Sequence, residues 1–341
     1  MFNPKYAISH KLLSNIKSIN KLVLELNRKK FSKIVLHKME KSAREISTFA
    51  STSIEGNPLP LTDVKQILKS TPQNLGSSEQ EVINYNKALV NLNKKLSLRG
   101  HFSLTVESIC TIQKQVTEKL VPIHESGKFR LKPVFVNDPK KNQTIYWPPD
   151  AKDIPILMSQ LIEFIKIKKG NFDPLILAGL FHKQLVIIHP FMDGNGRTSR
   201  LATKVLLKDL GLDTFNLFSF ENYYNRNVSN YFKSVGVIGN YYETGDSIDF
   251  TSWLEYFTDG IIDELLRVKK LLPEISVSPE TKLMSYHEKM LEYIEKNGFI
   301  TDREYAKLTD RGKSTRILDF KKLQNMGLIK RFGKGRSTYY K

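Results

Sequence analysis

The stretch at residues 189–200, His-Pro-Phe-Met-Asp-Gly-Asn-Gly-Arg-Thr-Ser-Arg, constrains the fold of this chain more than any other. The residues before it, 175–188, are apolar almost throughout, which is typical of a helix buried in a core. Because Pro190 disfavours helix at the residue before it, this helix should end at His189. Helical periodicity resumes over residues 198–209. The sequence therefore predicts a buried helix, a tight loop and a second helix.

The glycines and charged side chains of this loop suit chemistry on phosphates. Gly194 and Gly196 bring bare backbone N–H groups to a helix start, where the partial positive charge favours an anion. Arg197 and Arg200 lie three residues apart and offer guanidinium groups to phosphate oxygens from one helical face. Asp193 is a hard oxygen ligand suited to a Mg²⁺ ion that is itself phosphate-bound. Each residue alone fits an ordinary turn, but their combination indicates phosphoryl or nucleotidyl transfer.

His189 adds a group that can accept a proton near neutral pH. With it, the stretch resembles the signature of the Fic family, HPFx[D/E]GNGRxxR, at every fixed position. The usual activity in that family is transfer of AMP from ATP to a target hydroxyl. The resemblance implies a mostly α, Fic-type helical core with His189 as the catalytic base, ATP as substrate and Mg²⁺ as cofactor on Asp193. It implies nucleotide binding by Asp193, Gly194, Asn195, Gly196, Arg197, Thr198 and Arg200.

A second short motif follows two helices that apolar spacing predicts within residues 8–50. Glu55 lies at the unfavourable end of a helix dipole, so a partner elsewhere would help to explain it. From Ser51 to Gly56 the chain matches the Fic inhibitory motif, [S/T]xxxE[G/N]. The resemblance implies that Glu55 enters the nucleotide site, pairs with Arg200 and displaces the γ-phosphate of ATP. The alternative is an ordinary helix end with an exposed glutamate.

Residues 124–150 differ in character from the helical segments around them. Two β-prone runs, 134–136 and 144–146, flank a turn cluster of Asn, Asp and Pro, which predicts a small hairpin. An isolated hairpin has an open edge that can accept an extended peptide by strand addition. With the preceding Gly127-Lys-Phe-Arg130, this stretch resembles the Fic flap. The resemblance assigns docking of the target to Val134, Phe135 and Val136, whereas a structural excursion without a binding role is the alternative.

The segment at residues 223–232 is rich in aromatic and amide side chains. Aromatic stacking and amide hydrogen bonds usually hold a purine base. Fic proteins carry a Tyr-Tyr pair about here whose first member lines the adenine site, which implies Tyr231 in this chain. Phe232 departs from the second tyrosine of that pair. Asn240 is the candidate for an amide contact, although it lies farther along the chain than is usual in the family. Packing in the core is the alternative for each.

A new pattern begins after a linker that two prolines predict over residues 271–280. Residues 285–341 read as three short helices followed by a basic two-stranded ribbon, which resembles a winged helix. They hold 14 Lys and Arg against 7 Asp and Glu, which suits contact with the phosphate backbone of DNA. The candidate DNA contacts are Lys313, Arg316, Lys334 and Arg336. A protein-binding module or a merely solvated basic face is the alternative.

The patterns together predict a mostly α chain with a Fic-type helical core, a small β-hairpin flap and a C-terminal winged-helix domain. The expected divisions are an N-terminal helical region at 1–110 with the inhibitory motif at 51–56, a Fic core at 111–256, a closing helix and linker at 257–284, and a winged-helix domain at 285–341. The resemblance to the Fic family covers roughly residues 45–265.

Composition limits the surroundings in which the chain can work. Its net charge of +18 favours polyanionic partners without identifying them. No apolar run approaches the length that spans a bilayer, and the N-terminal residues lack the apolar region of a signal peptide. The single cysteine, Cys110, excludes an intramolecular disulfide and points to a reducing compartment. We therefore expect a cytoplasmic protein with no membrane partner.

The function that the resemblance to the Fic family implies is that of a protein adenylyltransferase, a nucleotidyltransferase that moves AMP from ATP to a Ser, Thr or Tyr hydroxyl. The target would be another protein or the chain itself, and Glu55 would restrain the activity. Two alternatives stay open. The same site could remove AMP from a modified target, with Glu55 orienting a water, or the Fic core could be the nucleotide sensor of a DNA-binding regulator. A homodimer is also open, because many relatives self-associate.

Overall fold

The computed structural model describes residues 2–29, 31, 33–70, 72–97, 103–138, 143–212, 214–276 and 283–341. The chain folds as two compact units. The first consists of Met1–Lys29 and Ser42–Val268, and the second of Lys30–Lys41 and Lys269–Lys341. Helices dominate the described residues, so the prediction of a mostly α fold is confirmed.

The helices that lie wholly or partly in the first unit are numbered in chain order. They are α1 (His10–Asn27), α2 (Lys33–Ile54), α3 (Leu61–Lys69), α4 (Ser77–Ser97), α5 (Val106–Val116), α6 (Ile154–Lys168), α7 (Pro174–Ile188), α8 (Asn195–Leu207), α9 (Glu221–Arg226), α10 (Val228–Val235), α11 (Tyr241–Thr244) and α12 (Thr251–Ser276). None of the helices in the described part of the chain is both long and apolar enough to cross a lipid bilayer.

The helix pair α7 and α8 lies at the centre of the first unit. Nearly every side chain of α7 is buried, as its uninterrupted apolar sequence predicts. Asp173 caps the helix by accepting the N–H of Leu175 at 2.8 Å, and a proline occupies the first helical position. The helix ends at His189, as predicted, in the left-handed conformation with φ 50°.

The second helix of the pair begins earlier than the sequence pattern predicts. Gly194 takes the left-handed conformation, φ 80°, and is the N-cap of α8, which therefore starts at Asn195 rather than at residue 198. Nearly all of α8 is buried, including the side chains of its two arginines. The motif thus crosses from one buried helix to the next through a short loop.

The predicted hairpin is present, with its first strand shifted along the chain. Strand β1 (Val136–Asp138) runs antiparallel to β2 (Gln143–Trp147), and the register is irregular next to Val136. Val134 and Phe135 precede β1 instead of lying in it, since pairing begins only at Val136. Part of the predicted turn, residues 139–142, lies outside the described residues.

The hairpin is not isolated, which corrects the expectation from sequence. A short strand, β3 (Gly239–Asn240), pairs in parallel with β2, so the sheet order is β1-β2-β3. Tyr146 lies opposite Gly239 in this pairing. The prediction missed β3 because two residues are too few to give an alternating pattern. Of the two hairpin strands, β1 is therefore the one that lies at an edge of the sheet.

The prediction of a linker over residues 271–280 is wrong for its first part, because α12 continues to Ser276. Buried side chains recur along this helix at helical spacing, from Leu265 through Val268 to Leu272, and the apolar pattern outweighs the proline. Residues 277–280 lie outside the described part of the chain.

The second unit contains three further helices and a ribbon. They are α13 (Ser285–Asn297), α14 (Asp302–Leu308), α15 (Lys313–Asn325), β4 (Arg331–Phe332) and β5 (Tyr339–Tyr340). The two strands pair antiparallel, and Ile300 forms a bridge with Tyr340. The unit has its own apolar core, in which Met290, Phe320 and Leu323 are buried. The winged-helix assignment itself stays a prediction.

Candidate functional site

The imidazole of His189 is held as a neutral base at the end of α7. Its Nδ1 lies 3.2 Å from the carbonyl oxygen of Val186. A carbonyl oxygen can only accept, so Nδ1 carries the proton and Nε2 keeps its lone pair. Burial lowers the pKa of His189 below its ordinary value of 6.5, against the opposing effect of the hydrogen bond to Val186. The ring can therefore accept a proton at neutral pH.

The loop after the histidine is braced by side-chain amides. Asn195 donates from Nδ2 to the carbonyl of Phe191 at 2.8 Å, and its Oδ1 accepts the N–H of Phe191 at 3.0 Å. Gln113, on α5, donates to the carbonyl of Asp193 at 3.1 Å. The Asn195 side chain thus holds the loop in shape, which leaves its backbone N–H as the group available to an anion.

The start of α8 is built for close approach. The first N–H groups of an α-helix have no carbonyl partner within the helix, so they can bind an anion. A Cβ added at Gly196 would lie 2.2 Å from Oε1 of Glu55 and 3.1 Å from Nη1 of Arg200, so a side chain here would require the Glu55 carboxylate to move. Thr198 is fully buried, and its hydroxyl has no hydrogen-bond partner among the described residues.

Arg200 is completely buried and meets the motif that ends α2. Its Nη2 donates to Oε1 of Glu55 at 2.7 Å and to the carbonyl of Ser51 at 2.8 Å, while Nε donates to the Ser51 hydroxyl at 2.8 Å. Burial alone would lower the pKa of Arg200, but the Glu55 carboxylate reverses this and raises it above its ordinary value. Nη1 has no hydrogen-bond partner among the described residues and is a donor left for an anion.

Gly56 follows this glutamate with φ 94°, a backbone conformation that glycine adopts without strain. The glycine therefore ends the segment that carries Glu55 towards Arg200. The structure thus brings together the two motifs that the sequence placed 145 residues apart.

Arg197 is engaged by two carboxylates. Its Nη2 lies 2.9 Å from both oxygens of Asp193, and its Nη1 lies 2.8 Å from Oε1 of Glu81 on α4. The other oxygen of Glu81 accepts from Nδ2 of Asn57 at 2.7 Å. Burial raises the pKa of Glu81, although Arg197 opposes the shift. Glu81 and Asn57 were not predicted from the sequence, because no local spacing relates them to the motif.

Asp193 could hold only a metal ion that takes its other ligands from groups outside this chain. About half of its side chain, 51%, is exposed, although both carboxylate oxygens already accept from Nη2 of Arg197 and Oδ1 also accepts the N–H of Gly194 at 2.6 Å. Across the part of the chain that the structure describes, no three His, Cys, Asp or Glu side chains are grouped to hold a metal. A single hard oxygen ligand suits Mg²⁺ that takes its remaining ligands from phosphates and water.

The hairpin is anchored next to the histidine. Tyr146 of β2 is buried and donates its hydroxyl to the carbonyl of Ile187 at 3.0 Å, at the end of α7. Phe135, one of the residues expected to dock a target, is 56% exposed, and Val134 and Val136 are partly exposed. Arg130, which sequence analysis quoted only as part of the flap resemblance, contacts His189 directly through its Nε, 2.8 Å from the histidine carbonyl.

The two residues expected at the adenine site differ in their surroundings. Tyr231 is 1% exposed, its hydroxyl is 3.1 Å from Nε2 of His182, and its ring stacks on Tyr224 at 4.8 Å. The side chain of Asn240 accepts the N–H of Tyr242 at 2.9 Å and caps α11. The structure therefore places Tyr231 in an aromatic core and Asn240 at a helix cap. Their contact with adenine stays a prediction.

The candidate DNA contacts of the second unit differ from one another. Lys313 and Lys334 are exposed. Arg316 forms a two-pronged ion pair with Asp302, with distances of 2.8 Å and 2.9 Å, so its guanidinium is already bound. The side chain of Arg336 lies outside the described part of the structure.

Comparison with known proteins shows which family and which relatives this chain is similar to. Residues 103–207 match the model of the Fic/DOC family. The matched residues include the whole loop from His189 to Arg200. Among curated proteins, the one named protein adenylyltransferase Fic from Aedes aegypti is 30% identical over 228 residues, which are 61% of this chain and 43% of that protein. The protein of the same name from Culex quinquefasciatus is 32% identical over 180 residues, 52% of this chain and 34% of the relative. The chain thus spans less than half the length of these relatives.

Solved structures show the same fold. A Fic family protein from Desulfovibrio desulfuricans G20 matches with a TM-score of 0.67 and 17% identity, covering 100% of this chain and 98% of that one. Fic-1 from C. elegans matches with a TM-score of 0.60 and 21% identity, covering 77% of this chain and 73% of its own. The Fic-type helical fold predicted from sequence is confirmed.

Proposed function

We propose that this chain is a protein adenylyltransferase that transfers AMP from ATP to a Ser, Thr or Tyr hydroxyl of a protein. The observation that carries the proposal is a neutral His189, its Nε2 lone pair available, joined by a braced loop to the buried Arg200. The names of the curated relatives support the same activity.

In this mechanism Nε2 of His189 accepts the proton of the target hydroxyl, and the oxygen attacks the α-phosphorus of ATP. A new oxygen–phosphorus bond forms while the bond to the leaving pyrophosphate breaks, so charge develops on the outer phosphates. The N–H groups at the start of α8 and Arg200 stabilise that charge, and Arg197 would add to this when a phosphate replaces one of its two carboxylate partners. Asp193 would hold Mg²⁺, which supplies further neutralisation of phosphate charge when bound.

We also infer that Glu55 restrains the enzyme. Its carboxylate takes Nη2 of Arg200 and lies against Gly196, where an outer phosphate would need the same donors. A phosphate can bind Arg200 fully only by displacing the carboxylate from this buried guanidinium. Ser51, through its hydroxyl and carbonyl, would then keep the arginine in place during the exchange.

The test is incubation of the protein with α-labelled ATP and Mg²⁺. The proposal expects label on the chain itself or on an added protein target, and no label with His189→Ala. The variant should retain the fold, which circular dichroism and thermal melting can check. Labelling by His189→Ala at the rate of the wild type would refute the role of the histidine.

The C-terminal residues 285–341 are proposed as a winged-helix domain that contacts DNA. The order of α13, α14, α15 and a two-stranded ribbon supports that fold. Exposed Lys313 and Lys334 support backbone contact, whereas the pairing of Arg316 with Asp302 argues against a contact from that residue.

A further inference from the structure

A four-residue segment, 127–130, lies against the motif loop before the hairpin begins. The N–H of Gly127 donates to Oε1 of Gln113 at 2.5 Å, and Nε2 of the same side chain donates to the carbonyl of Asp193. At the other end of the segment, the N–H of Arg130 donates to the carbonyl of Pro190 at 2.9 Å. The segment is thus fastened to both ends of the loop.

The guanidinium of Arg130 extends these contacts in two directions. Nε donates to the carbonyl of His189 at 2.8 Å. Nη1 donates to the carbonyl of Lys132 at 3.1 Å, and Nη2 donates to the carbonyl of Pro149. Lys132 lies just before the hairpin and Pro149 just after it. One side chain therefore binds the catalytic histidine and both ends of the flap.

These bonds are unusual for a core arginine. Arg130 is 2% exposed, and its hydrogen-bond partners among the described residues are carbonyl oxygens, not a carboxylate. Burial lowers the pKa of Arg130, against the opposing effect of the Asp150 charge. A buried cation without an ion pair is costly, so the plain demands of packing would favour an apolar side chain here. A planar fork of donors is what can reach three carbonyls at once.

The histidine needs such a restraint. His189 has φ 50°, a left-handed conformation that a residue with a Cβ rarely adopts. Such conformations persist where the surroundings over-determine them, and they concentrate at functional sites. The hydrogen bond from Arg130 holds the carbonyl of His189 and thereby the orientation of the peptide group between His189 and Pro190.

We propose that Arg130 is a positioning residue that fixes the distance between the edge strand β1 and Nε2 of His189. A target segment that pairs with β1 would then present its hydroxyl at a fixed height above the base. The inference rests on the proposed function, since the flap matters here as the surface on which a protein target docks. Arg130 touches neither nucleotide nor target in this account.

The experiment compares Arg130→Lys and Arg130→Gln with a matched control, Arg267→Lys. Arg267 is also largely buried and bonds to Glu264 and to the carbonyl of Leu217, away from the hairpin contacts. All three are made in protein that also carries Glu55→Gly. Self-labelling by α-labelled ATP is measured at saturating nucleotide, and ATP affinity is measured by calorimetry. We expect the Arg130 variants to lose roughly tenfold to a hundredfold in labelling rate, with ATP affinity unchanged.

A second readout does not depend on catalysis. In protein labelled with ¹⁵N-histidine, the ring nitrogens of His189 report which one carries the proton. The parent protein should show Nδ1 protonated, and Arg130→Gln should show a shift towards a mixture of the two tautomers. Arg267→Lys should leave both the signal and the labelling unchanged.

The outcomes separate the two proposals. A tautomer shift in protein that transfers no AMP at all would retain Arg130 as a positioning residue and remove the proposed activity. Unchanged tautomer and labelling in both Arg130 variants would overturn the inference. A loss of ATP affinity equal to the loss of labelling would also overturn it, because the defect would then lie in folding or in the nucleotide site.

Discussion

Replacing Glu55 by glycine gives the sharpest expectation. The residue lies just past the end of α2, so a glycine there leaves the helix intact. The change removes the carboxylate 2.7 Å from Nη2 of Arg200 and leaves that guanidinium with Ser51. It also clears the space next to Gly196. ATP should therefore bind without first displacing a carboxylate.

The magnitude follows from the burial of the pair. Arg200 is fully buried, whereas the Glu55 side chain is 27% exposed. Truncating one partner of a fully buried ion pair costs about 3–5 kcal/mol. Because Glu55 is partly exposed, we use the smaller contribution of a hydrogen bond to a charged group, roughly 1.5–3 kcal/mol. At about 1.4 kcal/mol per tenfold change, ATP affinity should rise roughly 10- to 150-fold. The unfolding free energy without nucleotide should fall by a similar amount.

The assay is calorimetric binding of ATP with Mg²⁺, combined with thermal melting of the nucleotide-free protein. Glu55→Gln is the matched control, since it keeps an accepting oxygen but removes the charge, and it should give an intermediate affinity. An unchanged or weaker affinity for ATP in Glu55→Gly would refute the idea that the carboxylate competes with a phosphate for Arg200.

Three further predictions follow from the site and from the second unit. Because burial lowers the pKa of His189 below 6.5, the transfer rate should be constant above pH 6.5 and should fall only as the pH drops through the lowered pKa. A pH–rate profile in which the rate already falls above pH 6.5 would contradict this. Gly196→Ala should destabilise the protein by about 1–3 kcal/mol in chemical denaturation, since the new Cβ meets the Glu55 carboxylate. The loss should shrink when Glu55→Gly is also present, and an equal loss in both backgrounds would argue against that clash. The chain should bind DNA through residues 285–341 with an affinity that falls as the salt concentration rises. Lys313→Ala should reduce the slope of log affinity against log salt concentration by about 1. An unchanged slope would show that Lys313 does not contact the DNA.

The central motif could be predicted from sequence because its determinants are local. The apolar run before His189 and the proline after it are enough to place the end of α7. The start of α8 was predicted three residues late. Its first three residues follow Gly194 directly and are not part of the periodic apolar pattern from which the helix was predicted. The contact of Glu55 with Arg200 was implied by the resemblance of two short motifs to those of the Fic family, not by any spacing between them.

Other parts of the site could not be predicted, because long-range packing creates them. Glu81 meets Arg197 through the packing of α4 near α8, and no pattern in α4 distinguishes this glutamate from a solvated one. Arg130 reads in the sequence as one more basic residue of a polar loop, yet it is among the most buried charged residues of the chain. Tyr231 illustrates the opposite difficulty, since an aromatic at helical spacing suits both a ligand site and a core.

The most direct measurement is intact-mass spectrometry of the Glu55→Gly protein after incubation with ATP and Mg²⁺, alone and with a candidate protein target. We expect the mass of one or more added AMP groups, which must disappear when His189→Ala is combined with Glu55→Gly. An unmodified mass for Glu55→Gly, or the same AMP adduct without His189, would contradict the claim that this histidine and the buried arginine act on one nucleotide.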